Sequence, residues 1–234
     1  MIPLRDANPT RRRPVLTLAI MAACFVVFGL ELAVQATGGE PALEAFYRSF
    51  GVVPADLLDA IRAGRLVSVP VLALFAHQFL HGGWFHIGAN MLYLWIFGNN
   101  VEDRLGRPAY LLFYLGGGIV AALAQVAIDP ASDIPLVGAS GAIAAVLGAY
   151  VVMFPRARVL SIVFVVVFFQ LIEVPAVLVL GLWFVLQVID GLASLGVTDI
   201  VGGVAIFAHI GGFVAGMLVG SLVRWRRPRL LGVR

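Results

Sequence analysis

The chain has 234 residues, 61% of them hydrophobic and only 12% charged, with a formal net charge of +3 and a mean hydropathy of +1.00. That balance excludes an ordinary soluble globular domain and places the chain in the bilayer class. Apolar stretches recur from Pro14 onward, which leaves one polytopic bundle and no room for a sizeable soluble domain, and the single cysteine, Cys24, excludes an internal disulfide framework.

Residues 1–13 are polar and end in Arg11-Arg12-Arg13, predicting a cytoplasmic tail. Val15 to Val34 is a largely apolar run of about twenty residues, enough to cross a bilayer core; a cleaved signal is the competing reading, disfavoured by that length and by the lack of a convincing small-residue cleavage site after it. Residues 36–68 mix Glu40, Glu44, Arg48, Asp56, Asp59, Arg62 and Arg65 with Leu, Phe and Tyr. They predict a loop with one or two interfacial amphipathic helices. From Val69 the chain is apolar again but carries His77, His81 and His86, and a second span is expected over about 84–101, closed by Glu102-Asp103-Arg104. A third follows over 109–128 and a fourth over 137–154.

Val159 to Ile172 is very apolar but too short to cross before Glu173 and Pro175. A second run, Ala176 to Ile189, reaches Asp190; residues 191–203 then read as a loop and Val204 to Val223 as the last span. All sixteen basic residues are arginine, and their distribution sets the number of crossings. If 159–173 is re-entrant or interfacial, there are six spans with both termini inside. The cytoplasmic segments 1–13, 102–107, 155–158 and 224–234 then hold four, two, two and five arginines. Counting 159–173 as a span of its own would export the C-terminal cluster. The domain reading is therefore an N-terminal tail over 1–13, one membrane domain over 14–223 and a basic cytoplasmic tail over 224–234.

In this topology His86, Asn90, Ser140 and His209 all lie within about two turns of the outer ends of three helices. Polar groups inside a bilayer are costly and usually face the bundle interior, so agreement in depth points to a shared site. Taken alone, Ser140 in Gly138-Ala139-Ser140-Gly141 is ordinarily helix-packing glue. His209 is followed by Gly212 and Gly216, a G-x-x-x-G face that admits a neighbouring backbone. If that neighbour is the Gly138/Gly141/Gly148 face, imidazole and hydroxyl meet, as activation of a weak serine nucleophile by a general base requires. His86 and Asn90, at i and i+4, are either a pair hydrogen-bonded across helices or donors to an oxyanion completed by the Ser140 N–H. A metal at His77, His81 and His86 is disfavoured because no intramembrane Cys or carboxylate joins them at ligand spacing.

The run from Phe79 through His81-Gly82-Gly83-Trp84-Phe85-His86 to Asn90, Gly98 to Glu102, Gly138 to Gly141, and Ala208-His209-Ile210-Gly211-Gly212 through Gly216 resembles the rhomboid family of intramembrane serine proteases, over roughly residues 65–222. The resemblance implies an all-α polytopic membrane protein, a six-helix bundle with a membrane-associated loop between helices 1 and 2. It implies Ser140 as nucleophile and His209 as general base, His86 and Asn90 as oxyanion-stabilising residues, and His81 with its loop as support. It gives Glu102 as a structural acid closing the second span. The implied substrates are single-span membrane proteins cut in or near the bilayer, in a cell membrane and with the site opening outward. No cofactor, metal, nucleotide or nucleic acid is implied. A catalytically silent rhomboid-like binding or chaperone protein would share the fold. Two departures stand out: Ala144 replaces an aromatic that many members stack on the histidine, so something else must orient His209, and the apolar insert 159–173 lengthens one link.

Overall fold

The computed structural model describes residues 1–165, 168–194 and 205–226. Its elements run in the order β1 (Ile2–Asp6), α1 (Val15–Phe50), α2 (Pro54–Arg62), α3 (Val69–Ala76), α4 (Trp84–Leu105), α5 (Arg107–Ile128), α6 (Ser140–Met153), β2 (Arg158–Val165), β3 (Phe168–Pro175), α7 (Ala176–Ser194) and α8 (Ile206–Arg226). The architecture is a polytopic membrane bundle of α1 and α4 to α8, with α2 and α3 in the connection between its first two members. Helices α1, α5, α7 and α8 are each long and apolar enough to cross a bilayer. Their outward faces carry Phe25, Val26, Leu30, Leu112, Leu182, Leu218 and Leu222, all at least half exposed, an apolar girdle suited to lipid rather than water.

The two remaining bundle helices are atypical because they carry the polar groups. Helix α4 has 22 residues but includes His86, Asn90, Asn99, Asn100, Glu102 and Asp103. Helix α6 has 14 residues, about 21 Å of rise, less than the roughly 30 Å of a hydrocarbon core. Eleven of its residues are buried, Gly141 to Tyr150 and Met153. It is the central helix, and its short length puts Ser140, its first residue, inside the bundle rather than at its edge.

Small residues let α5 and α8 close on α6. A Cβ on Gly212 would strike the Gly141 carbonyl, one on Gly216 the Ala145 carbonyl, and one on Gly148 the Phe213 carbonyl. On the other flank a Cβ at Gly141 would lie 2.6 Å from Ala121 Cβ, and one at Gly117 2.7 Å from Ala145 Cβ. Backbone against backbone is the closest packing helices can reach, and it is available only to glycine at these positions.

Polar ties fix the opposite end of the bundle. Buried Glu102 at the end of α4 accepts hydrogen bonds from Leu16 N at 3.0 Å, Thr17 N at 2.8 Å and Thr17 Oγ1 at 2.8 Å. A side chain from another helix thereby satisfies first-turn donors of α1 that have no intrahelical acceptor. Arg224 near the end of α8 donates to Val152 O at 3.1 Å, so α6 and α8 finish together.

Three expectations need revision. The connection expected over 36–68 begins later, because α1 continues to Phe50 through a turn at Gly39, whose φ of 69° suits glycine, with Pro41 just beyond. Helix α2 is the expected amphipathic segment, burying Pro54, Leu57 and Ala60 at threefold spacing. The segment 159–173, expected to be re-entrant or interfacial within an all-α protein, forms a hairpin: β2 and β3 pair antiparallel, Arg158 opposite Pro175 and Val165 opposite Phe168. Its dense Val, Ile and Phe favour a strand, and a hairpin needs no bilayer-spanning length. The fold is thus a helical bundle with a small sheet. Nor are residues 1–13 wholly a tail, since β1 pairs with β2. Asp6 of β1 is buried and accepts from Asn100 Nδ2 at 2.7 Å and the Tyr150 hydroxyl at 2.8 Å. The expected 191–203 loop and 224–234 tail lie largely outside the described residues.

Because Gly216 meets the Ala145 carbonyl directly, Gly216→Val should wedge α8 away from α6 at a cost of roughly 1–3 kcal/mol. The thermal midpoint of the purified protein in detergent should fall, with loss of any activity that depends on the two helices. An unchanged midpoint would contradict the close-packed seam.

Candidate active site

Ser140 owes its position to the segment before it. Val52 and Leu136 exchange two backbone hydrogen bonds, of 3.0 and 2.8 Å, and Gly138 N–H donates to His77 O at 2.9 Å. These ties fix residues 136–138, and Ala139, already in helical φ/ψ, leads directly into α6. Gly138 has φ of 130°, a region that side-chain-bearing residues rarely adopt. The Ser140 N–H is then among the first-turn donors that a helix leaves without an intrahelical acceptor.

His209 is the fourth residue of α8. Its Nε2 lies 2.8 Å from Ser140 Oγ, and its Nδ1 lies 2.6 Å from Gln187 Oε1 on α7. The Trp183 ring, one turn earlier on α7, is centred 5.8 Å from the imidazole at an interplanar angle of 42°. Trp183 and Gln187 together occupy the role left open by Ala144. The start of α8 is held by Gln125 of α5, whose Oε1 accepts from Phe207 N at 3.1 Å.

His86 comes up from α4. Its Nδ1 accepts from Gly82 N–H at 3.3 Å, which leaves the ring proton on Nε2 in the neutral imidazole. A Cβ placed on Gly138 would lie 2.8 Å from His86 Nε2 and 3.6 Å from Ser140 Oγ. The two groups therefore border one space, which the missing side chain of Gly138 keeps open. Asn90, one turn after His86, is buried, and its Nδ2 has no hydrogen-bond partner. Leaving a buried amide donor unpaired costs about 1–3 kcal/mol, the kind of expense found where a donor serves a ligand. His81 stands behind His86, ring centroids 5.2 Å apart and edge to face. Gly141, Gly212 and Gly216 are in the seam already described. Among the described residues no group of three or more His, Cys, Asp or Glu is placed to hold a metal ion.

Several residues that shape this region did not stand out in the sequence. Gln187 and Gln125 are single amides in apolar runs, legible only as isolated polar positions. Glu31, 1% exposed within α1, accepts from His81 N–H at 3.0 Å, and the Tyr47 hydroxyl donates to His81 O at 3.2 Å. Both backbone groups of His81 are thus strapped to α1. Gln78 of the same loop donates to Leu74 O and Leu115 O and fills the space that a side chain on Gly118 would need.

The Rhomboid domain profile matches residues 70–226, more than half of the chain and a range that includes His86, Asn90, Ser140 and His209. The chain belongs to the rhomboid family. Among the relatives of this rhomboid, Rhomboid protein 1, mitochondrial, of Saccharomyces cerevisiae is 29% identical over 153 residues, covering 64% of this chain and 41% of that protein. Rhomboid protease GluP of Bacillus subtilis is 32% identical over 137 residues, 58% of this chain and 24% of that protein. The human Presenilin-associated rhomboid-like protein, mitochondrial, is 34% identical over 108 residues, 45% and 27% respectively. The match thus spans less than half the length of each of these relatives.

The loop that carries this rhomboid's His77 and His81 should be sensitive to acid. Burial pulls both imidazoles down to about 4 from an ordinary value of 6.5, with the neighbouring charge of His86 adding to the effect at His81. Both are neutral when folded, so the stability that they lend is complete above 6.5 and is lost as pH falls from 6.5 towards 4. Hydrogen exchange over residues 77–83, corrected for intrinsic rate, should show protection falling across that window; constant protection would contradict the burial argument.

Proposed function

We propose that this rhomboid is an intramembrane serine endopeptidase that cuts peptide bonds in or near the membrane-spanning segments of other membrane proteins. The observation that carries the reading is the 2.8 Å contact between Ser140 Oγ and His209 Nε2, at the N-terminus of a helix that starts inside the bundle. Membership in a family that includes a Bacillus subtilis rhomboid protease supports it.

In this reading His209 Nε2 takes the Ser140 proton as Oγ attacks the scissile carbonyl, and a tetrahedral intermediate forms. The oxyanion falls in the space bordered by His86 Nε2 and Ser140, where the His86 N–H, the unpaired Asn90 amide and the Ser140 backbone N–H are its donors. His209 returns the proton to the leaving amine, and a water attacks the acyl-enzyme by the same route in reverse. The substrate must present an unwound strand, because a peptide bond within a helix has its carbonyl hydrogen-bonded and shielded. Single-span membrane proteins with a helix that loosens near the outer surface meet that need. In a cell membrane, the arginine distribution favours both termini on the cytoplasmic side and the site opening outward.

The test is cleavage of a labelled single-span protein by the purified chain in liposomes. Ser140→Ala and His209→Ala should each lower the rate by four orders of magnitude or more, on the scale of about 10⁴–10⁶ seen when such groups are removed. Asn90→Ala should lower it by about 10²–10³, the worth of one oxyanion donor. Cleavage by Ser140→Ala at the wild-type rate would sink the assignment. Binding of substrates without cleavage, unchanged in Ser140→Ala, would favour a silent rhomboid-like binding protein instead.

A further inference from the structure

The serine and the histidine are only two of three groups in line. An amide oxygen can only accept a hydrogen bond, and a neutral imidazole has a single N–H. With Gln187 Oε1 2.6 Å from Nδ1, the ring proton of His209 must sit on Nδ1. The lone pair is left on Nε2, 2.8 Å from the Ser140 hydroxyl. The opposite tautomer would set a lone pair of Nδ1 against the amide oxygen and turn an N–H towards Ser140, where no proton could be taken up.

We infer that Gln187 is the positioning residue of the base: its side-chain oxygen fixes the tautomer and rotation of His209 so that Nε2 receives the Ser140 proton. This rests on the proposed protease reading. The neighbours of the ring support it. Ser140 faces it from α6 and Trp183 and Gln187 from α7, and His86 of α4 is the titratable group that borders the same space. Asp190, three residues beyond Gln187, is exposed. Among the described residues no carboxylate is hydrogen-bonded to His209, so a neutral acceptor holds the place that an aspartate fills in the serine protease triads. Trp183 and Gln187 are four residues apart, on one face of α7. The tryptophan packs beside the ring and the glutamine sets its direction. When the proton arrives on Nε2, the Nδ1–H···Oε1 bond becomes charge-assisted and steadies the imidazolium until the proton is passed on.

The experiment compares the full-length wild type with Gln187→Leu and Gln187→Glu in liposomes. It reads cleavage kinetics, the pH profile of kcat and the ¹⁵N resonances of the His209 imidazole, assigned by their loss in His209→Ala. Leucine is close to glutamine in volume, so the helix packing is retained. Gln187→Leu should lower kcat about tenfold, the worth of one neutral hydrogen bond, with KM unchanged, and its ¹⁵N spectrum should show a mixture of tautomers. Gln187→Glu should restore a single Nδ1–H tautomer, and its carboxylate should stabilise the imidazolium and move the acid limb of the profile to higher pH. Wild-type ¹⁵N shifts in Gln187→Leu would overturn the inference, as would an acid limb that does not move in Gln187→Glu. If wild type itself fails to cleave, the protease reading falls while the ¹⁵N comparison still decides what Gln187 does.

Discussion

Ser140 and His209 are 69 residues apart in sequence, and their contact exists because two helix backbones approach as closely as backbones can. Gly212 lies against the Gly141 carbonyl, Gly216 against the Ala145 carbonyl and Gly148 against the Phe213 carbonyl. In lipid no hydrophobic effect drives helices together, since hydrocarbon on a neighbouring helix is no better a partner than hydrocarbon in the bilayer. Association rests on dispersion and on polar contacts, both of which fall off steeply with separation. A seam of glycines maximises the first and brings the second into range. The same residues therefore stabilise the bundle and set the distance between hydroxyl and imidazole, and one added methyl at Gly216 disturbs both.

The site is built from dipoles rather than charges. Three helices begin around it: α4 at Trp84, α6 at Ser140 and α8 at Ile206. Each directs the positive end of its macrodipole there, equivalent to about half an elementary charge. The Ser140 N–H, the Asn90 amide and the Nε2–H of His86 add donors of the same sense. Such an arrangement favours a developing oxyanion and disfavours a lone imidazolium, so the two are best formed together, each offsetting the other. A carboxylate beside His209 would require a buried anion in apolar surroundings, and burying a charge costs far more than burying an amide unless it is fully paired. Gln187 supplies an acceptor without that cost.

The sequence was legible where chemistry and periodicity coincided. His86 and Asn90 four residues apart, Ser140 among glycines and His209 ahead of Gly212 and Gly216 were all visible, as were the bundle and its glycine seam, because small and polar residues in apolar runs have few other reasons to be there. The sheet was not visible: Val159 to Ile172 is apolar except for Ser161 and Gln170, which hid the strand alternation, and the pairing of β1 with β2 joins segments more than 150 residues apart. Gln187 was hidden for a different reason. It is one amide in the run from Ala176 to Ile189, and nothing local says that it will face His209 on another helix. The kink at Gly39 could have been suspected from the Gly38-Gly39 and Pro41 sequence, but Glu40 and Glu44 suggested that the helix had ended. The β1–β2 pairing and the Gln187 contact depend on partners remote in sequence, whereas the legible features depend on spacing within a single helix.

The two ends of the bundle treat their polar groups in opposite ways. At the sheet end they are saturated: Glu102 accepts three hydrogen bonds from the first turn of α1, and Asp6 accepts two, from Asn100 and Tyr150. At the site end buried polar atoms are left without partners, Asn90 Nδ2, His81 Nε2 and Gln78 Oε1 among them. At about 1–3 kcal/mol for each unsatisfied group, the second arrangement is a burden that the fold has to carry elsewhere. The saturated end and the glycine seam are where it does so. Rigid anchorage of α1, α4 and α6 at one end lets their other ends hold donors in place without those donors satisfying one another. If Asn90 or His86 were free to move, each would find a partner and the space beside Ser140 would close. Held apart, they keep hydrogen-bonding capacity in reserve within an apolar environment, where it has most to offer an arriving carbonyl.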